Sequence, residues 1–593
     1  MKLRVICSLL LVGLTVSCAT VSGKENNSFQ TYHQSELVKA SGEIYDSNFL
    51  EFQPVYAKNG IVVSENRLAS EIGEQVLKRG GSAIDAAVAV GFALAVVYPN
   101  AGNIGGGGFM MTYSSKSHHV EAIDFREIAP HTASKETYLD EQGNVIDQKS
   151  INTPFASGVP GTVKGLETAW QRGGRLPWAS LLAPAIKLAN KGFIITRDLG
   201  DRMRESEERL SLSEATRAIY APKGRLLQAG DRLVQKDLAQ TLRLIAAEGS
   251  NVFYHGEIAD KIARSMAPYH WISKQDLANY RVVIRKPLVG TFKGYTISMM
   301  PPPSSGGVHI IQILNVLEHF PLEQWGQNSA KTIHYMSEAM KWAYADRSKY
   351  LGDPDYVKVP IKGLTSKAYA ATIAQKIGEK STPATVIAPG VPQPYESNET
   401  THISIVDKDG NAVAMTYTLN DNFGNGFIVP GTGILMNNEM DDFSLKPGEA
   451  NLYGLIGAKA NEVQVGKRPL SSMSPTFIFK GKDLYLVTGT PGGARILTTV
   501  LQIIVNDLLF HLNPAEAIAA PRFHDQWLPD EIRVEKGLSL DTIRLLKERG
   551  HTVNVKAVMG RVGTIRITHD KNGRQILEGA ADPRNPDGAA VGY

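Results

Sequence analysis

Two threonines, Thr400 and Thr401, stand just before an Asp-Gly turn pattern, and a third, Thr418, follows it. The runs from Thr400 to Val406 and from Asn411 to Asn420 are rich in strand-forming residues, and Asp407-Lys408-Asp409-Gly410 lies between them. That pattern predicts a β-hairpin. A two-residue turn at Asp409-Gly410 sets Lys408 opposite Asn411 and Thr401 opposite Thr418. A four-residue loop sets Thr400 opposite Tyr417 instead. Cross-strand neighbours have Cβ atoms about 4.5–5.5 Å apart, so in either register the Thr418 hydroxyl can reach Thr400. A threonine hydroxyl is a weak nucleophile and needs an adjacent base. If the chain is cut before Thr400, the new α-amino group, with a reference pKa of about 7.7–8.0, can be that base. The plain alternative is that Thr400 and Thr401 are β-branched strand starters.

Other chemistries are excluded by what the chain lacks. Its two cysteines, Cys7 and Cys18, both fall in the first 20 of 593 residues, so beyond the leader there is no thiol nucleophile, disulfide or cysteine-based metal site. Hydrophobic residues make up 43% and charged residues 21%, which suits a large folded core and rules out wholesale disorder. The net charge is +4 with no basic tract, so no nucleic-acid footprint is present. The run Gly105 to Gly108 fails the spacing of a dinucleotide loop because position 110 is Met; it reads as close backbone approach at a turn or strand start. No phosphate loop, H-E-x-x-H or G-x-S-x-G motif occurs.

The elements that must position the threonines can be outlined. Lys2 and Arg4 precede an apolar stretch from Val5 to Val16, the layout of a secretory signal. Leu14 to Cys18 is similar to a bacterial lipobox, which would put a lipid on Cys18; the alternative is an ordinary cut after Ala19 or Ser22. Asn26 to Tyr45 is polar and reads as a tether. Ser64 to Gly80 has helical spacing and stops at Gly80-Gly81. Ala86 to Tyr98 is apolar but too short to span a membrane, and predicts a core helix. Leu181 to Asn190 and Ala330 to Tyr350 are further helices. Pro301-Pro302-Pro303-Ser304-Ser305-Gly306-Gly307 is either a breaker before a helix at Val308 or a rigid substrate-facing loop. Ser381 to Glu399, rich in Pro and Ser, marks an exposed linker.

Read together, several motifs resemble one family. Thr400-Thr401-His402, Val406 to Val413, Asn437 to Phe443, Pro469-Leu470-Ser471-Ser472-Met473-Ser474-Pro475 and Gly489-Thr490-Pro491-Gly492-Gly493 are similar to γ-glutamyltranspeptidases. Asp124-Phe125-Arg126-Glu127, Gly105 to Gly108, Pro301 to Gly307 and Tyr344-Ala345-Asp346-Arg347 fit the same pattern, from about Tyr56 to Tyr593.

The resemblance implies an α+β, four-layer αββα sandwich of the N-terminal-nucleophile hydrolase type, made as a precursor that cuts itself between Glu399 and Thr400. Residues 1–19 would be the signal peptide, 20–55 the tether, 56–399 the large subunit and 400–593 the small one. Thr400 would attack a γ-glutamyl carbonyl with Thr418 hydrogen-bonded to it, and Gly492 and Gly493 would form the oxyanion hole. Arg126 and Ser471, with Ser472 close by, would bind the α-carboxylate of the glutamyl group, and Asn420, Glu439 and Asp442 its α-ammonium. A zwitterionic head needs one cationic and one anionic pole. Position 439 is Glu where some bacterial relatives carry Gln, which adds negative charge beside the ammonium. Lys446 to Ala458, with Tyr453 as gate, resembles a lid. His402 is read as structural.

The implied substrates are glutathione, γ-glutamyl amides and amino-acid or peptide acceptors. The implied partner is the chain's own other subunit, with no metal or organic cofactor and an exported, periplasmic location. Two competitors stand beside this reading: a glutaryl or cephalosporin acylase of the same fold, whose substrates lack the α-ammonium, and a non-enzymatic lipoprotein binding small ligands. Singly, each motif also has a plain role. Arg126 could form a surface ion pair, Asp441 and Asp442 could cap a turn, and the serines and glycines could be turn residues.

Overall fold

The computed structural model describes residues 53–392 and 402–593. Two seven-stranded antiparallel sheets form its centre. One runs, in spatial order, Val55–Ala57, Gln575–Ala581, Gly563–His569, Asp483–Gly489, Thr476–Lys480, Tyr295–Met299 and Leu288–Phe292. The other runs Ala589–Gly592, Ile61–Ser64, Ser404–Val406, Ala412–Thr418, Gly107–Ser114, His119–Phe125 and Val283–Arg285. Strand alternation decides what faces what. Phe109 and Met111 join one apolar cluster with Phe477, Val487 and Ile565 of the opposite sheet. Met110, between them, joins the helices on the other side.

Arg67–Lys78, Ala83–Val97 and Thr162–Gly173 cover the outer face of the second sheet. Gly306–Leu317 and Ile496–Leu508 cover the outer face of the first, with Ala330–Tyr350 packed on Gly306–Leu317. The layers run helix, sheet, sheet, helix, which is the αββα sandwich that the motifs implied. Both sheets combine strands from before and after position 400, so neither segment could complete a sheet alone.

The helix expected around Ala86 to Tyr98 forms over Ala83–Val97, and every residue in it but Ile84 is buried. A helix apolar on all sides must be enclosed. Ser82 and Asp85 make a capping box at its start, worth about 1 kcal/mol, and Asp85 also accepts from the backbone N–H of Arg175 at 2.8 Å. No helix among the described residues is long and apolar enough to cross a membrane. Ala330–Tyr350 matches its expected span, and the predicted Leu181 to Asn190 sits inside Trp178–Lys191.

The hairpin forms, but in neither expected register. Ser404 pairs with Ala414 and Val406 with Ala412. The loop is three residues long. Gly410 N donates to the Asp407 carbonyl at 3.0 Å, and Asp407 N to the Asn411 carbonyl at 3.0 Å. Asp407 is the cause, because its carboxylate accepts from Asp409 N at 2.9 Å and Asn411 N at 3.0 Å. This is a type I turn followed by a left-handed glycine.

The glycine run does mark close approach. A Cβ on Gly106 would lie 2.0 Å from the Thr418 carbonyl oxygen, and one on Gly108 2.4 Å from that of Thr416. The Pro301–Gly307 segment breaks the chain before the helix and also braces its surroundings, since Ser305 N donates to the Ser471 carbonyl at 2.9 Å. The leader, Cys18, and the cleavage residues Glu399 and Thr400, with Thr401, lie outside the described residues.

Candidate active site

Thr418 ends the strand Ala412–Thr418, where Asn420 turns the chain with a φ of +77°. The Thr418 hydroxyl oxygen accepts from Asn420 N at 2.8 Å, which orients it at the strand end. The Asn420 amide nitrogen donates to the Asn438 carbonyl at 3.0 Å. Its Oδ1 accepts nothing from the described residues.

Arg126 follows the strand His119–Phe125 and is fully buried. The single helical turn Glu439–Asp442 faces it. Its guanidinium pairs with Asp442 at 2.6 Å and with Glu439, and lies 3.5 Å from Glu127. Burial opposes the charge on Arg126, but the Glu439, Glu127 and Asp442 carboxylates overcome it and hold its pKa above the ordinary value. The same burial raises all three acids against the pull of Arg126. Glu127 is pushed up to about 7, Asp442 is raised, and Glu439 goes well above the usual carboxylate range. One buried cation cannot hold three ionised carboxylates, so the group titrates as a unit. Burial disfavours the ionised form of Glu439 while Arg126 favours it.

Ser471 and Ser472 are held by the Pro301–Gly307 segment and by Arg347. Ser471 N donates to the Pro303 carbonyl at 2.7 Å. Arg347 donates to the Ser472 hydroxyl at 3.3 Å and to the Ser305 hydroxyl at 2.8 Å. Gly492 and Gly493 precede the helix Ile496–Leu508 with φ values of +139° and +58°, in the region that favours glycine. Both glycines are half-buried in the cavity wall, and neither N–H donates to a described residue. Free backbone N–H groups facing a cavity are what an oxyanion needs.

Tyr453 closes over them. A Cβ on Gly493 would lie 2.5 Å from the Tyr453 ring, and the Tyr453 hydroxyl donates to the Asn420 carbonyl. The loop is fastened to the acidic turn: Leu452 N donates to Asp441 at 2.9 Å, and Asn451 donates to Asp442 at 3.2 Å while accepting from Tyr453 N at 3.1 Å.

All ten expected site residues within the described chain line one cavity of about 480 Å³: Arg126, Thr418, Asn420, Glu439, Asp442, Tyr453, Ser471, Ser472, Gly492 and Gly493. His402 is elsewhere. Its Nε2 lies 2.9 Å from the Gly563 carbonyl oxygen, and burial pushes its pKa down to about 3. Sequence reasoning gave no part in the site to Glu127, Asn451, Asp441 or Arg495. The first three sat inside motifs already singled out, and Arg495 follows the Gly-Gly pair by two residues. Nothing in their types alone marked them.

The family model described as Gamma-glutamyltranspeptidase matches residues 69–592. The glutathione hydrolase proenzyme of Escherichia coli (strain K12) is 52% identical over 545 residues, covering 91% of this chain and 93% of that one. Among solved structures, a cephalosporin acylase from Bacillus halodurans superposes with a TM-score of 0.81 at 29% identity, over 93% of this chain and 98% of that one. The Helicobacter pylori gamma-glutamyltranspeptidase gives a TM-score of 0.55 at 48% identity, over 56% of this chain and 96% of that one.

Proposed function

We infer from one premise, that the chain belongs to the gamma-glutamyltranspeptidase family, that it is a self-cleaving γ-glutamyltransferase and glutathione hydrolase. The observation that carries this is the single cavity joining Arg126, Asp442 and Glu439 to Thr418 and the Gly492-Gly493 pair. The Thr400-Thr401-His402 motif, shared with the family, supports Thr400 as nucleophile.

In the first step the Thr400 hydroxyl oxygen bonds to the γ-carbonyl carbon of glutathione, and the Thr400 α-amine takes the hydroxyl proton. The Gly492 and Gly493 N–H groups hold the oxyanion. The C–N bond breaks, the α-ammonium returns the proton to the departing nitrogen, and cysteinylglycine leaves. Water then gives glutamate, or an acceptor amine gives a new γ-glutamyl amide, and Thr400 is regenerated. Throughout, Arg126 with Ser471 and Ser472 holds the α-carboxylate, and Asp442, Glu439 and Asn420 hold the α-ammonium. Thr418 orients the nucleophile, and Tyr453 limits water entry.

The acylase likeness raises the second reading, a glutaryl or cephalosporin side-chain substrate. Asp442 and Glu439 beside Arg126 favour the γ-glutamyl one, because a glutaryl group has no ammonium to meet them. Comparing γ-glutamyl and glutaryl anilides decides: faster glutaryl release would reverse the assignment. Self-cleavage is tested on a denaturing gel with N-terminal sequencing. Wild type should give two bands, the smaller beginning Thr-Thr-His, and Thr400→Ala one uncut band; a single band from folded wild type would refute it. The Lys2 to Cys18 leader supports export to the periplasm, with Cys18 as a lipid anchor. Mass spectrometry of the mature N-terminus checks this, and a terminus at Thr20 or Gly23 without lipid would remove the anchor.

A further inference from the structure

Five arginines line the catalytic cavity: Arg126, Arg202, Arg347, Arg495 and Arg561. Four are occupied. Arg126 pairs with Glu439 and Asp442, Arg202 and Arg561 with Asp198, and Arg347 donates to Ser305 and Ser472. The guanidinium of Arg495 makes no ion pair and no hydrogen bond with any described residue, and its Nε is buried without a partner. Arg495 is half-buried, so the rest of its guanidinium stays open to whatever enters the cavity.

Its place points to a ligand. Arg495 ends the turn Gly493–Arg495, so it stands on the same rigid turn as the oxyanion donor Gly493. It faces the cavity at the start of the helix Ile496–Leu508. Arg126 and its acids occupy the glutamyl side of the reacting carbonyl. The group on the other side is the amine component, and an amino acid or peptide carries one anionic group there, its terminal carboxylate.

The structure assigns Arg495 as the binding residue for that carboxylate, on the leaving dipeptide and on amino-acid or peptide acceptors alike; this rests on the γ-glutamyl transfer reading above. A guanidinium offers a planar two-pronged contact that suits a carboxylate. The cavity then has two carboxylate-binding arginines, one for each side of the scissile amide. Arg126 is neutralised in advance by fixed acids, whereas Arg495 is neutralised only by what binds.

The test uses the processed enzyme with γ-glutamyl-p-nitroanilide as donor and compares glycylglycine with glycylglycine amide as acceptors. Wild type should prefer the acid over the amide by about tenfold to a hundredfold in kcat/KM, the range for losing a charged hydrogen bond. Arg495→Met should erase that preference and Arg495→Lys should keep part of it. If wild type treats the acid and the amide alike, the assignment is wrong whatever the variants do. It is also wrong if Arg495→Met keeps the full preference. Failure of the transfer reading would look different: wild type would release no nitroaniline from the γ-glutamyl donor.

Discussion

Arg126 and Asp442 lie 316 positions apart in the chain and 2.6 Å apart in the folded protein. Glu439, on the same turn as Asp442, completes the pairing. The two poles that would hold a zwitterionic substrate therefore hold each other. A bound glutamyl group inserts its carboxylate beside Arg126 and its ammonium beside the acids, so each ion exchanges one partner for another without being stripped to vacuum. The site is built as an ion pair that a substrate can divide.

Removing the cation should damage both binding and stability. Arg126→Met leaves Glu127, Glu439 and Asp442 buried around nothing, and breaking a buried pair in this way costs about 3–5 kcal/mol. Thermal melting should show the loss, and donor kcat/KM should fall by about a hundredfold or more. Arg126→Met combined with Glu439→Met should recover part of the melting temperature but none of the activity.

The protonation of Glu439 has a defined sign. Burial raises its folded pKa above the unfolded value, with Arg126 opposing and Glu127 and Asp442 adding. Such a group contributes stability that is fully present below the unfolded pKa and is lost as pH rises through the folded one. Glu439→Gln cannot ionise. The melting temperature of Glu439→Gln relative to wild type should therefore climb steadily from pH 5 to pH 9. A flat difference would mean that Glu439 stays ionised throughout.

Gly493→Ala meets two obstacles at once. The φ of +58° disfavours a side chain, and the new Cβ would sit 2.5 Å from the Tyr453 ring. Displacing this donor should lower kcat by about a hundredfold or more, with a smaller change in donor KM. Steady-state kinetics on processed protein separates the two parameters.

The lid fastening is testable through the fate of the acyl-enzyme. Asn451 ties Tyr453 to Asp442. In Asn451→Ala the loop should open more often and admit water. The ratio of γ-glutamylglycylglycine to glutamate, measured by chromatography at one acceptor concentration, should fall several-fold.

A second buried pair lies away from the site. His334 and His551 meet at 2.7 Å between segments on either side of position 400. Burial, helped by Lys341, His334 and Arg549, pushes the His551 pKa down to about 3. A depressed histidine contributes stability above its unfolded pKa, near 6.5, that is lost as pH falls toward the folded value. Wild type should lose more melting temperature than His551→Gln between pH 6.5 and pH 4.5.

Short-range features were legible from the residues alone. The hairpin at Asp407 to Gly410, the helix Ala330–Tyr350 and the close approach at Gly105 to Gly108 follow from local preference, periodicity and turn chemistry, whereas the αββα sandwich was expected only from the family resemblance of the motifs. The first three depend on neighbours within a few positions. The register of the hairpin did not follow, because the Asp407 carboxylate chose a three-residue loop over the two- and four-residue alternatives. Nor did the charge state around Glu439, nor the unpaired state of Arg495. Both are set by burial and by which groups arrive from distant segments. Glu127 and Glu439 become reluctant acids only where the fold brings them around one guanidinium, and Arg495 is left without an acid because the fold brings none to it among the described residues. A sequence records which ions exist; the tertiary structure decides which of them meet and which are left for a ligand.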